Sequence, residues 1–569
     1  MDNIRFFLFC ALVLVVFLLW QAWMEDYGDN GLAEPDVVEQ PAVPAEREPA
    51  EREDLPEIPE QPAEADRPAL DSEATDTPPA RAERDGALPR GERIRVETDL
   101  LRVEIDTQGG DLRALYLLDY PVELDEPENP LKLLTDDPAS LYVIQSGLVA
   151  RDLPAPSHHD RWQAERLEYR LADGAKTVTV PLVWEHESGL RVTKRYTFHR
   201  NDYLIELEHE VENASGETWR GTQYSQLQRR EVEISRDNMF IRTFLGAAIY
   251  DGAYEKLSYS DLREDPVNRE VEGGWVAMIQ HYYTGAVIPP ADGSNLLYSR
   301  LLNGDRHIFG ARGEPISLAP GNALSLSSQL YVGPQYQQRM ADLAPRLDRT
   351  VDYGLLTILA KPVYVIMSWI HSVVGNWGWT IVLFTLLVKA VFYKLSDTQF
   401  RSMAKMREFA PRIKALRERY GDDREKLNKA MMELYRDEKF NPLGGCLPIL
   451  VQLPVFIALY WVLIESVEFR HAPWMLWIQD LSAPDPYFVL PVLFGVSMFI
   501  QQKMSQAAMA MDPIQQRIIM FLPLVLMIFF AFFPAGLVLY WFINNIVSMA
   551  QQHYVNRRHD AEQAAKRGG

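Results

Sequence analysis

Apolar and polar positions divide the chain into unlike stretches. Positions 6–24 are almost wholly apolar behind Arg5, long enough to span a bilayer. No small-x-small cleavage site follows; Trp20, Trp23 and Met24 stand where small residues would be needed. Segment 1–24 is therefore expected to be an uncleaved signal anchor. Positions 25–90 are rich in Pro, Glu and Ala and poor in apolar residues. Such a tract buries too little surface to offset chain entropy, so a disordered acidic tether is expected. From 91 to 343 the pattern changes to short runs of period two, such as RIRVETDLLRVEIDTQGGDL, LRVTKRYTFHRNDYLIELEHEVEN and NALSLSSQLYVG, broken by Gly, Asn and Asp. The number of these runs predicts a β-sandwich.

The last third is apolar with charged interruptions. Positions 344–374 carry an apolar run broken by Lys361-Pro362 and flanked by aromatic residues. An amphipathic helix lying in the membrane interface is expected there, with a further span as the competing reading. Positions 375–394 form a transmembrane helix. Positions 395–443 are rich in Lys and Arg and predict a cytoplasmic hairpin of two helices, the second with Asp423 as its N-cap. Spans 444–466, 487–503, 515–533 and 534–552 follow, joined by loops 467–486 and 504–514 and ending in the tail 553–569. The last two spans meet at Phe533-Pro534-Ala535. Counting from a cytoplasmic N-terminus gives six spans, the β domain outside and the hairpin and C-terminus inside. The Lys/Arg-rich loops then fall on the cytoplasmic side.

One charge stands well inside an apolar span. Lys389 lies in NWGWTIVLFTLLVKAVFYK, and an ammonium near the middle of a bilayer costs roughly 2.5–3.5 kcal/mol. Trp377, Ile381, Thr385, Lys389 and Tyr393 recur every fourth residue, so one face carries a hydroxyl, an ammonium and a phenol. That stripe predicts a water-filled groove. The competing reading is snorkelling towards Lys394, about 7.5 Å of helix rise away. Gln452, Glu465, Asn544 and Asn545 are the other notable polar residues of the spans.

Composition narrows the function. The net charge of −22 argues against a nucleic-acid binder, although much of it sits in the linker. The two cysteines, Cys10 and Cys446, fall in apolar segments, so the polar domain has no disulfide. No metal-ligand spacing and no GxxxxGK[ST] phosphate loop is present; no cofactor is expected. His186, His199 and His209 lie in strand patterns, as in a satisfied sandwich with a charged exterior. A solute transporter or channel would need facing polar groups across the full bilayer. An anchored periplasmic enzyme or sugar-binding module would need chemistry in the β domain.

Four motifs carry a resemblance: NWGW at 376–379, MAKMRE at 403–408, NPLGGCLPILVQLPVF at 441–456 and FPAGLVLYW at 533–541. The chain resembles the YidC/Oxa/Alb family of membrane protein insertases in its Gram-negative form. The resemblance implies a non-enzymatic insertase and chaperone of the bacterial inner membrane. Its substrates would be nascent membrane proteins; its partners would be the Sec translocon, the ribosome and membrane lipids. It implies a membrane α-helical fold with a five-helix insertase core, plus a large periplasmic all-β supersandwich. It implies a groove open to cytoplasm and lipid, with Lys389 as its single basic residue. Thr385, and Trp541 beside Tyr540, match positions that contact substrate helices in the family; Gln452 is a further groove candidate. The family usually has Arg at position 389 and Tyr at position 541, so this chain departs from it twice.

Overall fold

The computed structural model of the chain describes residues 88–232, 244–302, 305–420, 423–437, 447–506 and 513–568. The expected anchor 1–24, nearly all of the tether 25–90, both cysteines and the Gly421-Asp422 turn lie outside the described residues.

Period-two alternation sets the two faces of each strand. Strand Leu204–Asn213 turns Ile205, Leu207, His209 and Val211 inward and Glu206, Glu208, Glu210 and Glu212 outward. Arg195 of the neighbouring strand reaches Glu208 at 3.5 Å and Glu210 at 2.5 Å. Two sheets result. The first has 11 strands and runs from an edge at Asn268–Glu272 through Ser294–Leu302, Arg306–Gly313, Trp219–Arg230, Tyr142–Ala150, Asp111–Pro121, Leu101–Asp106 and Arg93–Glu97 to Glu168–Arg170. The second has nine and runs from Tyr254–Leu257 through Gly246–Tyr250, Trp275–Gln280, Tyr283–Ile288, Ala323–Pro334, Leu204–Asn213, Leu190–His199 and Thr177–Glu185 to Gln163–Ala164. Hydrogen bonds cross between the sheets, Tyr196 Oη–H to Gly110 O at 2.7 Å and Gln223 Nε2 to Ser328 Oγ at 3.0 Å. The expected two-sheet β domain is present. Large side chains such as Trp162, Tyr196, Phe198 and Trp219 fill its interior, each worth about 1.5–3 kcal/mol in burial.

One short helix, α1 (Tyr259–Glu264), lies within the β domain, and α2 (Gln337–Leu343) follows its last strand. The helical part comprises α3 (Thr357–Val374), α4 (Trp377–Val391), α5 (Tyr393–Tyr420), α6 (Arg424–Asp437), α7 (Leu447–Glu465), α8 (Val489–Gln506), α9 (Pro513–Phe530) and α10 (Ala535–Gly568). Asp423 caps α6, its Oδ1 accepting the Lys426 N–H at 3.1 Å. Lys361-Pro362 does not interrupt α3, which runs through both. Ile358, Val365, Trp369 and Val373 are exposed on α3, whereas Ala360, Val363, Met367 and Ile370 are buried.

Among the described helices, α3 is long and apolar enough by itself to cross a bilayer. The pair α4 and α5 passes the same test together but bends by 68° at their junction; Val451–Glu465 and Met520–Phe530 are shorter apolar helices. The loop after α7 ties the two parts together. His281 Nε2 lies 3.1 Å from Ile464 O, Arg470 Nη1 donates to Tyr283 Oη at 2.8 Å, and Tyr353 Oη meets Ser466 Oγ at 2.9 Å.

The sandwich also encloses a cation. Lys194 is wholly buried, donating to Gly109 O at 3.1 Å and Ser146 O at 2.9 Å and lying 5.2 Å from the Trp162 ring. Burial pushes its pKa down to about 7, against the pull of Asp111. The folded value lies below the unfolded one of 10.5, so between about pH 7 and 10.5 the unfolded chain holds a proton that the folded chain has released. Stability of the β domain is therefore expected to rise with pH across that window. Denaturant midpoints measured from pH 6.5 to 9.5 check this. Lys194→Met is expected to flatten the dependence; an equal slope in that variant would refute the assignment.

Candidate substrate groove

Two of the sequence motifs act as fasteners for the helices that carry Lys389 and its neighbours. In NWGW, Asn376 Oδ1 accepts the Trp379 N–H at 3.0 Å and so caps α4. Its Nδ2 donates to Pro473 O at 3.0 Å and Trp474 O at 3.2 Å. Trp377 stacks on His371 of α3, with ring centroids 4.0 Å apart, and meets Phe469 at 4.5 Å. Gly378 lies against Trp474, where a Cβ would come within 2.2 Å of the indole. In FPAG, the Ala535 N–H donates to Ala483 O at 2.8 Å and the Gly536 N–H to Leu481 O at 3.0 Å. A Cβ on Gly536 would approach Ile381 Cδ1 to 3.1 Å. Helices α4 and α10 thus start from one loop layer and run side by side. Lys389 is twelve residues beyond Trp377 and Ser548 thirteen beyond Ala535, about 18 and 20 Å along their helices, so the two meet.

They meet by a hydrogen bond. Lys389 Nζ donates to Ser548 Oγ at 2.7 Å, and the Ser548 hydroxyl donates to Asn544 O at 2.7 Å in its own helix. Gln452 Nε2 of α7 donates to Asn544 Oδ1 at 2.5 Å and lies 3.4 Å from Tyr540 Oη. One polar row therefore joins α4, α7 and α10. Tyr540, Asn544 and Ser548 repeat every fourth residue along it. Lys389 is 7% exposed, and among the described residues it has no carboxylate partner. A small cavity beside it is lined by Val388, Phe392, Leu395, Ser396, Val451 and Gln452. The centre of a water molecule has about 10 Å³ to occupy there, room for roughly one water.

The sequence-based candidates separate into two groups. Lys389, Gln452 and Tyr540 come together in the polar row. Thr385 is wholly buried, and its hydroxyl donates to Ile381 O at 2.7 Å within α4. Trp541 faces an aromatic cluster of Phe456 (5.0 Å), Phe530 (6.1 Å) and Phe494 (6.2 Å). Its indole N–H is buried with no acceptor among the described residues. The stripe expected over 377–393 ends at Lys389: α4 stops at Val391, and α5 leaves at 68°, carrying Tyr393 to an exposed position. Lys389 does not snorkel; it turns inward to α10. Of this row Ser548 was missed, although a hydroxyl following Tyr540 and Asn544 at fourfold spacing in an apolar helix is a visible signal. Asn545 and Ser497 (3.3 Å), and Gln552 and Ser505 (3.3 Å), form further polar ties between α10 and α8.

Residues 93–366 match the family described as YidC periplasmic domain, and residues 369–563 the family described as 60Kd inner membrane protein. The two matches define the class: an inner-membrane protein with a β-rich periplasmic domain and a helical C-terminal part. A protein of Thioalkalivibrio sulfidiphilus is 50% identical over 578 residues, covering 100% of both chains. One of Methylococcus capsulatus is 45% identical over 563 residues, covering 98% of each. Both are named membrane protein insertase YidC. The chain belongs to the YidC family. A crystal structure of an active YidC insertase, with its first transmembrane domain resolved, is 18% identical, with a TM-score of 0.41 over 82% of this chain and 94% of the other.

Gly378→Ala places a methyl group within 2.2 Å of the Trp474 side chain, so helix or indole must shift, an overpacking that costs about 1–3 kcal/mol. A lower melting temperature of the detergent-solubilised protein, followed by tryptophan fluorescence, is the expected result. An unchanged melting temperature would show that this fastener does not hold the helix start.

Proposed function

We propose that this membrane protein insertase works through the polar row around Lys389. The activity rests on family membership; it forms and breaks no covalent bond and is not enzymatic. The observation that carries the mechanism is the ammonium of Lys389, buried among apolar spans and held by a neutral hydroxyl with no counter-ion among the described residues. Its field is left for an incoming anion. An acidic residue of a nascent chain at about 4 Å is attracted by about 1 kcal/mol where the site is fully wetted, rising towards about 4 kcal/mol at an effective dielectric of about 20. The groove is closed down here to the size of one water. A substrate enters by exchanging the hydrogen bonds of Gln452 with Asn544 and Tyr540 for bonds to its own polar groups. Polar contacts replace polar contacts, so opening costs little. The apolar flank of the substrate then leaves sideways along the outer helices into lipid.

In this reading the chain crosses the inner membrane six times, through 6–24 and α4, α7, α8, α9 and α10. Both termini and the α5–α6 hairpin are cytoplasmic, and the β domain is periplasmic. α3 lies along the interface, held by the contact of Lys361 with Asp348 and by Tyr364 Oη–H donating to Glu468 at 2.6 Å. Nascent membrane proteins are the substrates, with the Sec translocon, the ribosome and lipid as partners. Thr385, wholly buried, becomes accessible only when the helices part, whereas Trp541 is already partly exposed. A solute transporter or channel finds no support among the relatives.

Lys389→Ala is expected to lower insertion of a substrate with an acidic N-terminal tail roughly ten-fold relative to a neutral-tailed one, and Lys389→Arg to preserve it. Insertion into inverted membrane vesicles, read by protease protection, measures both. Equal insertion of the two substrates by the Ala variant and by the parent, at matched protein level, would refute the charge role.

A further inference from the structure

Lys389 cannot by itself explain where its charge sits, because a lysine stem reaches several positions from one Cα. What fixes it lies on α10. The hydroxyl of Ser548 has one proton, and that proton is committed to Asn544 O at 2.7 Å. The oxygen therefore turns its lone pairs outward and accepts from Lys389 Nζ at 2.7 Å. Both side chains are buried, Ser548 at 5% and Lys389 at 7% exposure. The α4 break follows within one turn of Lys389, so its own helix offers no further length along which the ammonium is constrained.

We infer that Ser548 is a positioning residue for insertion: it holds the ammonium in the groove with a neutral acceptor and so leaves the charge unneutralised for the substrate. The inference rests on the charge-attraction reading of Lys389 given above and extends it to a specificity device. A carboxylate at position 548 would hold the same ammonium equally well and cancel it. A hydroxyl holds without cancelling. The remaining two N–H groups of Lys389 are then free to meet a substrate carboxylate, and the position of the charge along the groove is set by α10 rather than by the flexible stem. Lysine at this place needs such a dock more than a rigid guanidinium would, since its ammonium has no fork geometry of its own.

The test compares acidic-tailed and neutral-tailed substrates in membrane vesicles for Ser548→Ala, Ser548→Thr and Ser548→Asp, with Lys389→Ala as reference. The readout is the ratio of the two insertion yields, which a merely structural defect would leave unchanged. Ser548→Asp is expected to bring the ratio down about ten-fold, to that of Lys389→Ala. Ser548→Ala should lower it about three-fold, through loss of one charge-assisted hydrogen bond, and Ser548→Thr should restore it. If Lys389→Ala loses the preference while Ser548→Asp and Ser548→Ala keep it, the role of Ser548 is overturned and the charge reading stands. If Ser548→Asp reduces both substrates equally, its effect is structural and the inference also falls. If Lys389→Ala itself keeps the preference, the underlying reading fails first.

Discussion

An ammonium without a counter-ion among the described residues, enclosed by apolar helices, is the constraint on which the membrane half of this protein turns. Removing a cation from water is costly unless a carboxylate or several dipoles replace the lost hydration. Here the replacement is one hydroxyl at 2.7 Å and a space for about one water. The rest of the helical part can be understood as the framework that keeps this under-compensated charge in place. Helices α4 and α10 start from one loop layer, and similar distances along both bring Lys389 opposite Ser548. Gln452 then binds α7 into the same row through Asn544.

The framework depends on close backbone approach rather than on polar chemistry. Gly378 and Gly536 are glycines because Trp474 in one case, and Ile381 with Leu481 O in the other, occupy the volume a side chain would need. Both lie at helix starts, where a shift of one ångström is carried along the full length of the helix to the polar row. The loop between α7 and α8 supplies acceptors to both fasteners, Pro473 O and Trp474 O for one and Leu481 O and Ala483 O for the other. The same loop is tied to the β domain through Arg470 and Tyr283. Displacement of the periplasmic domain therefore acts on the segment from which the groove helices are hung.

Much of this was legible in the sequence, for physical reasons that differ by element. Alternation in LEHEVEN could only place one set of side chains in a core, so strands and sandwich followed from period two. Lys389 announced itself because a charge in an apolar run is expensive. What period and cost could not give was the end of the helix at Val391: nothing in VKAVFYKL breaks a helical pattern, and the 68° turn goes with a tertiary contact of α5 against α10 that local sequence does not encode. That turn removed Tyr393 from the stripe. Thr385 shares the face of Lys389 in projection, yet its hydroxyl finds the Ile381 carbonyl first, a local competition invisible to helical spacing. Trp541 sits one residue from Tyr540, about 100° round the helix, and so among phenylalanines rather than in the polar row.

The two buried lysines show why position alone does not make a functional charge. Lys194 has two carbonyl acceptors, two aromatic faces within 5.5 Å and the charge of Asp111 nearby. Its hydrogen-bonding capacity is nearly filled and the sandwich closes over it, so its charge shows itself in the pH dependence of the fold and not in ligand binding. Lys389 has a single neutral acceptor, and the space beside it opens between helices rather than between sheets. A fully coordinated cation has nothing left to offer a ligand. An under-coordinated one keeps hydrogen-bonding capacity to spare, and on the proposed function that spare capacity is what an acidic segment would meet. The same residue type thus has its hydrogen bonds nearly filled in one domain and is left under-coordinated in the other, and the difference is the number of partners the fold supplies.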